Sequence, residues 1–320
     1  MKSALTPQAR REIAEEWDGI KRQNHNTRGG IYPPIIYDFT PPFLFDCRIK
    51  SPRRMGIGDQ ILLMAAIQRV ADKVGGQGVT VWYDPDYPGS RAVWELGGLN
   101  ALPVESTQEC PPGNVIPCRH HFFESPISPG HCCLYGESTG IPLDEIFFLW
   151  GWHKLFQGVS IRPRLYPPVD AETQGGGIAL EYPEGFVTCT PLEVSRMNND
   201  SPPDVWGRLL TATSRGLPIL FGCALHENGQ LHGMIDAMSL QQPHRILNVP
   251  LAVWLALVNR AALNYTGNSA GMWLALASRT KTFLMQGGAD NHKHNRMWNF
   301  KPSWNCGNIE QKRPEVLLGG

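Results

Sequence analysis

The sequence predicts an α/β protein of two domains, each built on a parallel sheet with helices on both faces, and together lining a cleft. Three observations carry this. Short apolar strand-like runs alternate with helical stretches along most of the chain, the pattern that parallel sheets require. A length of 320 residues is enough for two separate cores. Glycine-rich turns lead into apolar helices twice, at 56–67 and 267–277, which places Gly-rich loops beyond the carboxyl ends of strands, where such sheets bind ligands.

Taken in order, Pro7 to Arg22 reads as a polar helix, and Asn24 to Pro34 as a loop rich in Asn, Gly and Pro. Ile35-Ile36-Tyr37 and Phe43-Leu44-Phe45 are strand candidates separated by Pro41-Pro42. Met55-Gly56-Ile57-Gly58-Asp59-Gln60 then runs into Ile61-Leu62-Leu63-Met64-Ala65-Ala66-Ile67, a flexible turn that delivers a carboxylate to the first turn of a buried helix. That helix is expected to reach Val74 and stop at Gly75-Gly76. Val79, Val81 and Tyr83 alternate with Thr80 and Trp82 as a strand closed by Asp84-Pro85-Asp86. Trp94 to Gly98 suggests a short helix with a glycine stop, residues 100–140 read as irregular, and Leu143 to Phe156 as a buried helix. Pro163 to Gly177, with Gly175-Gly176-Gly177, reads as the inter-domain linker.

The second half is more regular. Strands are expected at Gly185–Thr190, Leu217–Gly222, Arg245–Val249, Ala262–Tyr265 and Thr282–Met285. Helices are expected at Pro203–Arg215, Leu251–Arg260 and Gly271–Ser278. The domains are then 1–165, 166–290 and a tail, 291–320, whose Trp298, Phe300 and Trp304 pack back across them.

Composition narrows the function. Hydrophobic residues make up 42% and charged residues 18%, a globular rather than disordered balance. Basic and acidic side chains number 29 each, so the total provides no single-sign field for duplex nucleic acid. The N-terminus lacks the apolar core of a signal peptide. Leu251–Val258 falls far short of the about 18 residues a membrane span needs. A cytoplasmic protein is expected, with peripheral membrane contact left open. Its eight cysteines read as thiols. Cys110, Cys118, His120, His121, His131, Cys132 and Cys133 cluster, but without Cys-x-x-Cys or His-x-x-x-His spacing, so buried thiols and an acceptor-side loop are favoured over a metal.

The run Tyr265-Thr266-Gly267-Asn268-Ser269-Ala270-Gly271-Met272-Trp273-Leu274-Ala275-Leu276-Ala277 resembles the donor-binding segment of the heptosyltransferase-like glycosyltransferases, family 9. The Gly56–Asp59 turn with its helix, the strand ending Val81-Trp82-Tyr83-Asp84-Pro85, and Phe221-Gly222 continuing to His226-Glu227 resemble other segments of that family in the same order. The likeness covers roughly 50–100 and 185–290. It implies two Rossmann-like domains of GT-B type, a nucleotide-diphosphate sugar as donor, a hydroxyl-bearing acceptor, inverting transfer, and neither metal nor cofactor. Three positions depart from the family: its turn Asp is Asn268, its turn Gly is Ala270 and its helix His is Trp273. Asn keeps hydrogen-bonding capacity but loses a charge.

The resemblance implies roles that the residues themselves leave open. Asp59 is the general base in the family reading, and a helix cap otherwise. A helix N-terminus makes a carboxylate more acidic, so as a base it needs burial or substrate to offset that. Ser269, Ala270 and Gly271, with Asn268, form a nest of N–H groups and a hydroxyl for the diphosphate, or a simple cap. Thr190, Ser195 and Arg196 bring hydroxyls and a cation to the phosphates, Arg196 otherwise being an exposed loop cation. Gly222 ends a donor-side strand. Glu227 binds ribose or is a solvated loop acid, and Asn248 borders the base. Gly56 and Gly58 belong to the acceptor side, and Arg54, with Arg53, either meets an acidic acceptor there or is solvated. Rival readings are a degenerate binding or scaffold protein, a nucleotide-sugar epimerase, and a glycosyltransferase acting on modified DNA bases, the last disfavoured by the neutral charge.

Overall fold

The computed structural model describes residues 41–48, 56–87, 89–112, 114–117, 162–192, 202–267, 269–285 and 309–312. The expected segments at 7–22, 35–37 and 143–156, and Trp298, Phe300 and Trp304, lie outside these. The chain divides into two compact units, with the boundary between Arg164 and Leu165.

In the first unit, β1 (Phe43–Asp46), β2 (Val79–Tyr83), β3 (Asn100–Pro103) and β4 (Asn114–Pro117) form a parallel sheet of order β3-β2-β1-β4. The alternation read in the sequence is physical: Val79, Val81 and Tyr83 are buried while Thr80 and Trp82 are half-buried. α1 (Ile57–Val74) joins β1 to β2 and buries Ile61, Met64, Ala65, Ile67 and Val70. The next helix is displaced from expectation. α2 is Ser90–Trp94, and 95–98 is a turn. Residues 100–140 are not wholly irregular, since β3 and β4 fall there. β3 escaped notice because it is an exposed edge strand ending in proline, which an edge tolerates.

In the second unit, β5 (Val187–Thr190), β6 (Ile219–Gly222), β7 (His244–Leu247), β8 (Leu263–Thr266), β9 (Thr282–Met285) and β10 (Ile309–Lys312) form a parallel sheet of order β10-β9-β8-β5-β6-β7. From β5 the chain steps outward to β6 through α4 (Pro203–Thr213), then to β7 through α5 (Asn228–Met238). It returns past both to β8 through α6 (Leu251–Arg260) and continues to β9 through α7 (Ala270–Ala277). Right-handed crossovers place α4 and α5 on one face and α6 and α7 on the other. Under α4 and α5 lies a core that includes Val205, Trp206, Leu210, Phe221, Leu231, Ile235 and Tyr265.

The linker reading is corrected. Val169–Leu180 is a helix (α3) containing all three glycines, so only 163–168 of the expected linker lies outside a helix. Gly175 is not there for flexibility. It lets α3 press onto α6, where a Cβ would stand 2.8 Å from Ala256 Cβ. Glu172 and Arg260 pair across the same contact.

Tyr265 gives a pH test of this core. Thr213 Oγ1 donates to Leu209 O at 2.6 Å, so at 2.8 Å it accepts from the Tyr265 hydroxyl. Burial pushes the Tyr265 phenol up to about 12. Between the ordinary value near 10 and about 12 the unfolded chain has lost a proton that the folded one keeps, so stability falls as pH rises through that window. The loss is about 1.4 kcal/mol by pH 11 and about 2–3 kcal/mol across the whole window. Denaturant titrations at pH 8 and 11 should show it in the wild type and a markedly smaller loss in Tyr265→Phe.

Candidate functional site

The second sheet has one topological switch point. β5 and β8 are neighbours, yet the connections leaving them pass to opposite faces of the sheet. Such a divergence opens a crevice beyond the carboxyl ends of the two strands. Thr190 and Thr266 stand there in register, and Thr190 Oγ1 donates to Thr266 Oγ1 at 3.0 Å. Gly267 N–H returns to Thr190 O at 3.0 Å, which closes the turn.

The turn is finished by capping. Ser269 is the N-cap of α7; its Oγ accepts from Gly271 N at 3.3 Å and its carbonyl accepts from Met272 N at 3.0 Å. Gly271 lies against both threonine hydroxyls, so a Cβ there would overlap Thr190 Oγ1 and Thr266 Oγ1. Glycine is therefore what lets the helix begin directly over the strand ends. Ser269 and Ala270 remain half-exposed at that start. Trp273, by contrast, is 4% exposed and belongs to the core. The simple cap and the ligand nest are compatible here, because only one first-turn N–H is taken by the Ser269 side chain.

The other donor-side residues line the ends of β6 and β7. A Cβ on Gly222 would stand 2.6 Å from the Trp254 ring, so its role is to let α6 cross the strand end. Asn248 Nδ2 donates to Cys223 O at 3.2 Å and to Cys223 Sγ at 3.3 Å, tying the end of β7 to that of β6. Burial raises the Cys223 thiol, with the Asn248 hydrogen bond lowering it and Glu227 raising it further. Glu227 is not a solvated loop acid: its side chain is 12% exposed and Oε2 accepts from Ala224 N–H at 2.8 Å. It caps the 3-10 turn Leu225–Glu227, and Oε1 faces His226 at 4.0 Å. Ser195, Arg196 and Asn268 lie outside the described residues.

In the first unit, Gly56, Gly58 and Asp59 open α1, with Gln60 N–H donating to Gly56 O at 3.2 Å. Arg54 lies outside the described residues. Asp84 accepts from Asp86 N at 3.0 Å, so Asp84-Pro85-Asp86 is a turn-former beyond β2. Of the cysteine and histidine cluster only Cys110 is described, and among the described residues no group of three His, Cys, Asp or Glu side chains is placed to hold a metal.

Sequence reasoning missed a buried ion pair beyond β1. Arg48 is 1% exposed, and its Nε and Nη2 grip Asp46 at 2.7 and 3.0 Å. Nη1 donates to Glu105 O at 2.9 Å and to Gln108 O, Nη2 to Cys110 Sγ at 3.1 Å, and the guanidinium lies 4.9 Å over Trp82. Burial pushes the Asp46 carboxyl up, but hydrogen bonds from Arg48 and Cys110 and the Arg48 charge outweigh it and hold it below its ordinary value. The i, i+2 spacing of Asp46 and Arg48 at a strand end was the available signal.

No protein-family model matches the chain, and no curated protein matches it by sequence. Among solved structures it is similar to a glycosyl transferase family 9 protein from Veillonella parvula, with a TM-score of 0.57 and 9% identity over 88% of each chain. It is also similar to the ADP-heptose LPS heptosyltransferase II of E. coli, with a TM-score of 0.50 and 11% identity over 86% of this chain and 98% of that one. At such identities the likeness is one of architecture, and the α/β fold with parallel sheets is the one these glycosyltransferases have.

Proposed function

We propose that the protein is an inverting, metal-independent glycosyltransferase of GT-B type, moving a sugar from a nucleotide-diphosphate sugar to an acceptor hydroxyl. The observation that carries this is the switch point of the second sheet, where paired threonine hydroxyls and a Ser269-capped helix start converge. A helix N-terminus with close backbone approach suits a diphosphate. In this reading residues 166–290 hold the donor and residues 1–165 the acceptor. Thr190, Ser195, Arg196, Asn268, Ser269, Ala270 and Gly271 surround the diphosphate, and Gly222, Glu227 and Asn248 border the nucleoside. Asp59 takes the proton as the acceptor oxygen attacks the anomeric carbon; the bond from that carbon to the β-phosphate oxygen breaks, and the nucleoside diphosphate leaves. Arg196 and the N–H groups stabilise the charge that develops on it. Gly56, Gly58 and Arg54 contribute to the acceptor side.

A thermal-shift screen with ADP-, UDP-, GDP- and CMP-linked sugars, followed by transfer assays on the one that binds, tests the reading. No stabilisation by any of them would refute a nucleotide-sugar site. Binding without transfer or hydrolysis would favour a scaffold, isomerised donor an epimerase, and salt-dependent DNA binding a base-modifying enzyme. Gly271→Ala should weaken the binding nucleotide sugar by about tenfold or more, because the new Cβ must break the Thr190–Thr266 arrangement or push the helix start outward. Unchanged affinity in that variant would remove the switch point as the donor site.

A further inference from the structure

Two buried polar side chains at the carboxyl edge of the first sheet are left unsatisfied. Gln60 is 1% exposed, and neither its carboxamide oxygen nor its nitrogen has a hydrogen-bond partner among the described residues. Ser90 is also 1% exposed, and its hydroxyl is likewise unpartnered. Native interiors rarely leave such groups without a partner, since the lost hydration is uncompensated.

Their placement points toward the helix start. Gln60 is in the first turn of α1, where Cα–Cβ bonds tilt toward the helix N-terminus. Ser90 opens α2, and the preceding Gly89 sits so near Ile57 that a Cβ would stand 2.8 Å from Ile57 Cγ1. Ile57 is one turn from Gln60, so both unpartnered groups flank the same α1–α2 contact. Each helix follows a parallel strand, which puts both starts at the sheet's carboxyl edge.

The chemistry of the pair selects a ligand class. A carboxamide offers an acceptor and donors side by side without charge, and a hydroxyl offers one of each. A phosphate or carboxylate would leave the Gln60 oxygen facing a second acceptor, with an acid at the neighbouring position 59. A neutral group with a donor and an acceptor on adjacent atoms satisfies the set. We infer that Gln60, together with Ser90, binds a vicinal pair of hydroxyls on a sugar ring and thereby selects the acceptor. The inference rests on the reading of the first unit as the acceptor side.

The test uses the full chain and three probes, the methyl α-pyranosides of mannose, glucose and galactose, with inorganic phosphate as control. The side-chain NH2 resonances of Gln60 are assigned by their loss in Gln60→Met. At least one glycoside should move them and phosphate should not. Gln60→Met should weaken that glycoside by about tenfold while Tm stays level or rises, because an unsatisfied amide is replaced by an apolar chain of similar size. Ser90→Ala should weaken it about threefold. Resonances unmoved by all three glycosides, movement with phosphate instead, or a lower Tm in Gln60→Met with glycoside affinity intact would each overturn the inference. Nucleotide-sugar affinity, read separately, should be unchanged in Gln60→Met. Its absence in the wild type would defeat the proposed function without touching the glycoside result.

Discussion

Arg48→Met should destabilise the first unit by about 3–5 kcal/mol at neutral pH, the cost of leaving a buried charge without its partner. The Arg48 side chain is fully buried and holds Asp46 bidentately, while its other donors reach the carbonyls of Glu105 and Gln108. Removal leaves the Asp46 carboxylate accepting from the Cys110 thiol at 3.3 Å, and releases the 105–110 segment from the strand ends. In the wild type Asp46 titrates below its ordinary value, so the pair's stabilisation is complete above about pH 4 and is lost as pH falls through the folded value. In the variant the balance reverses, because burial is no longer outweighed and the carboxyl titrates above its ordinary value. Acidification from pH 7 towards pH 4 should therefore narrow the gap between variant and wild type. Asp46→Leu combined with Arg48→Met should recover most of the loss, since an apolar pair of similar volume replaces a buried ion pair at little cost. Denaturant titrations of both variants decide the matter; a double variant no more stable than Arg48→Met would sink the explanation.

That ion pair also marks where the sequence ceased to be readable. Elements whose signal is local were legible. The alternation of Val79 to Tyr83 gave β2, and the apolar helix after Gly58 gave α1, because burial on one face leaves a period in the sequence. The strand-turn-helix around Ser269 was legible for the same reason, and its cap is made by the residue type that caps require. α3 was misread because three successive glycines look like a loop. The meaning of Gly175 lies in its 2.8 Å approach to Ala256, about eighty residues away in sequence, which no local pattern records. α5 is a different kind of miss: no element was expected there, although Leu231, Met234, Ile235 and Met238 carry a helical period. Glu227 was half legible: its position was noticed, whereas its use as the acceptor of Ala224 N–H depends on a turn that only three-dimensional geometry shows. Arg48 was the least readable, since its carbonyl partners lie 57 and 60 residues further along.

Asp59→Asn should lower the rate of sugar transfer by about 10²–10⁴-fold while leaving donor affinity and Tm nearly unchanged. The substitution is chosen because alanine would remove the proposed base and the capping oxygen together. Gly56 O accepts the first helical bond, from Gln60 N–H, so Asp59 is the third residue past the cap, where a short polar side chain serves the free N–H groups of the first turn. Asparagine retains an oxygen for that purpose and forfeits only the interaction of charge with helix dipole, about 0.3–1 kcal/mol. It cannot accept a proton from an acceptor hydroxyl at neutral pH. A capping residue therefore predicts a small change in stability with transfer intact, and a base predicts the reverse. The pH profile adds a second discriminator: the acid limb of the wild-type rate should follow a carboxylate and vanish from the residual activity of Asp59→Asn. Transfer that survives Asp59→Asn at the wild-type rate would return this residue to the role of a helix cap and move the search for the base elsewhere along the carboxyl edge of the first sheet.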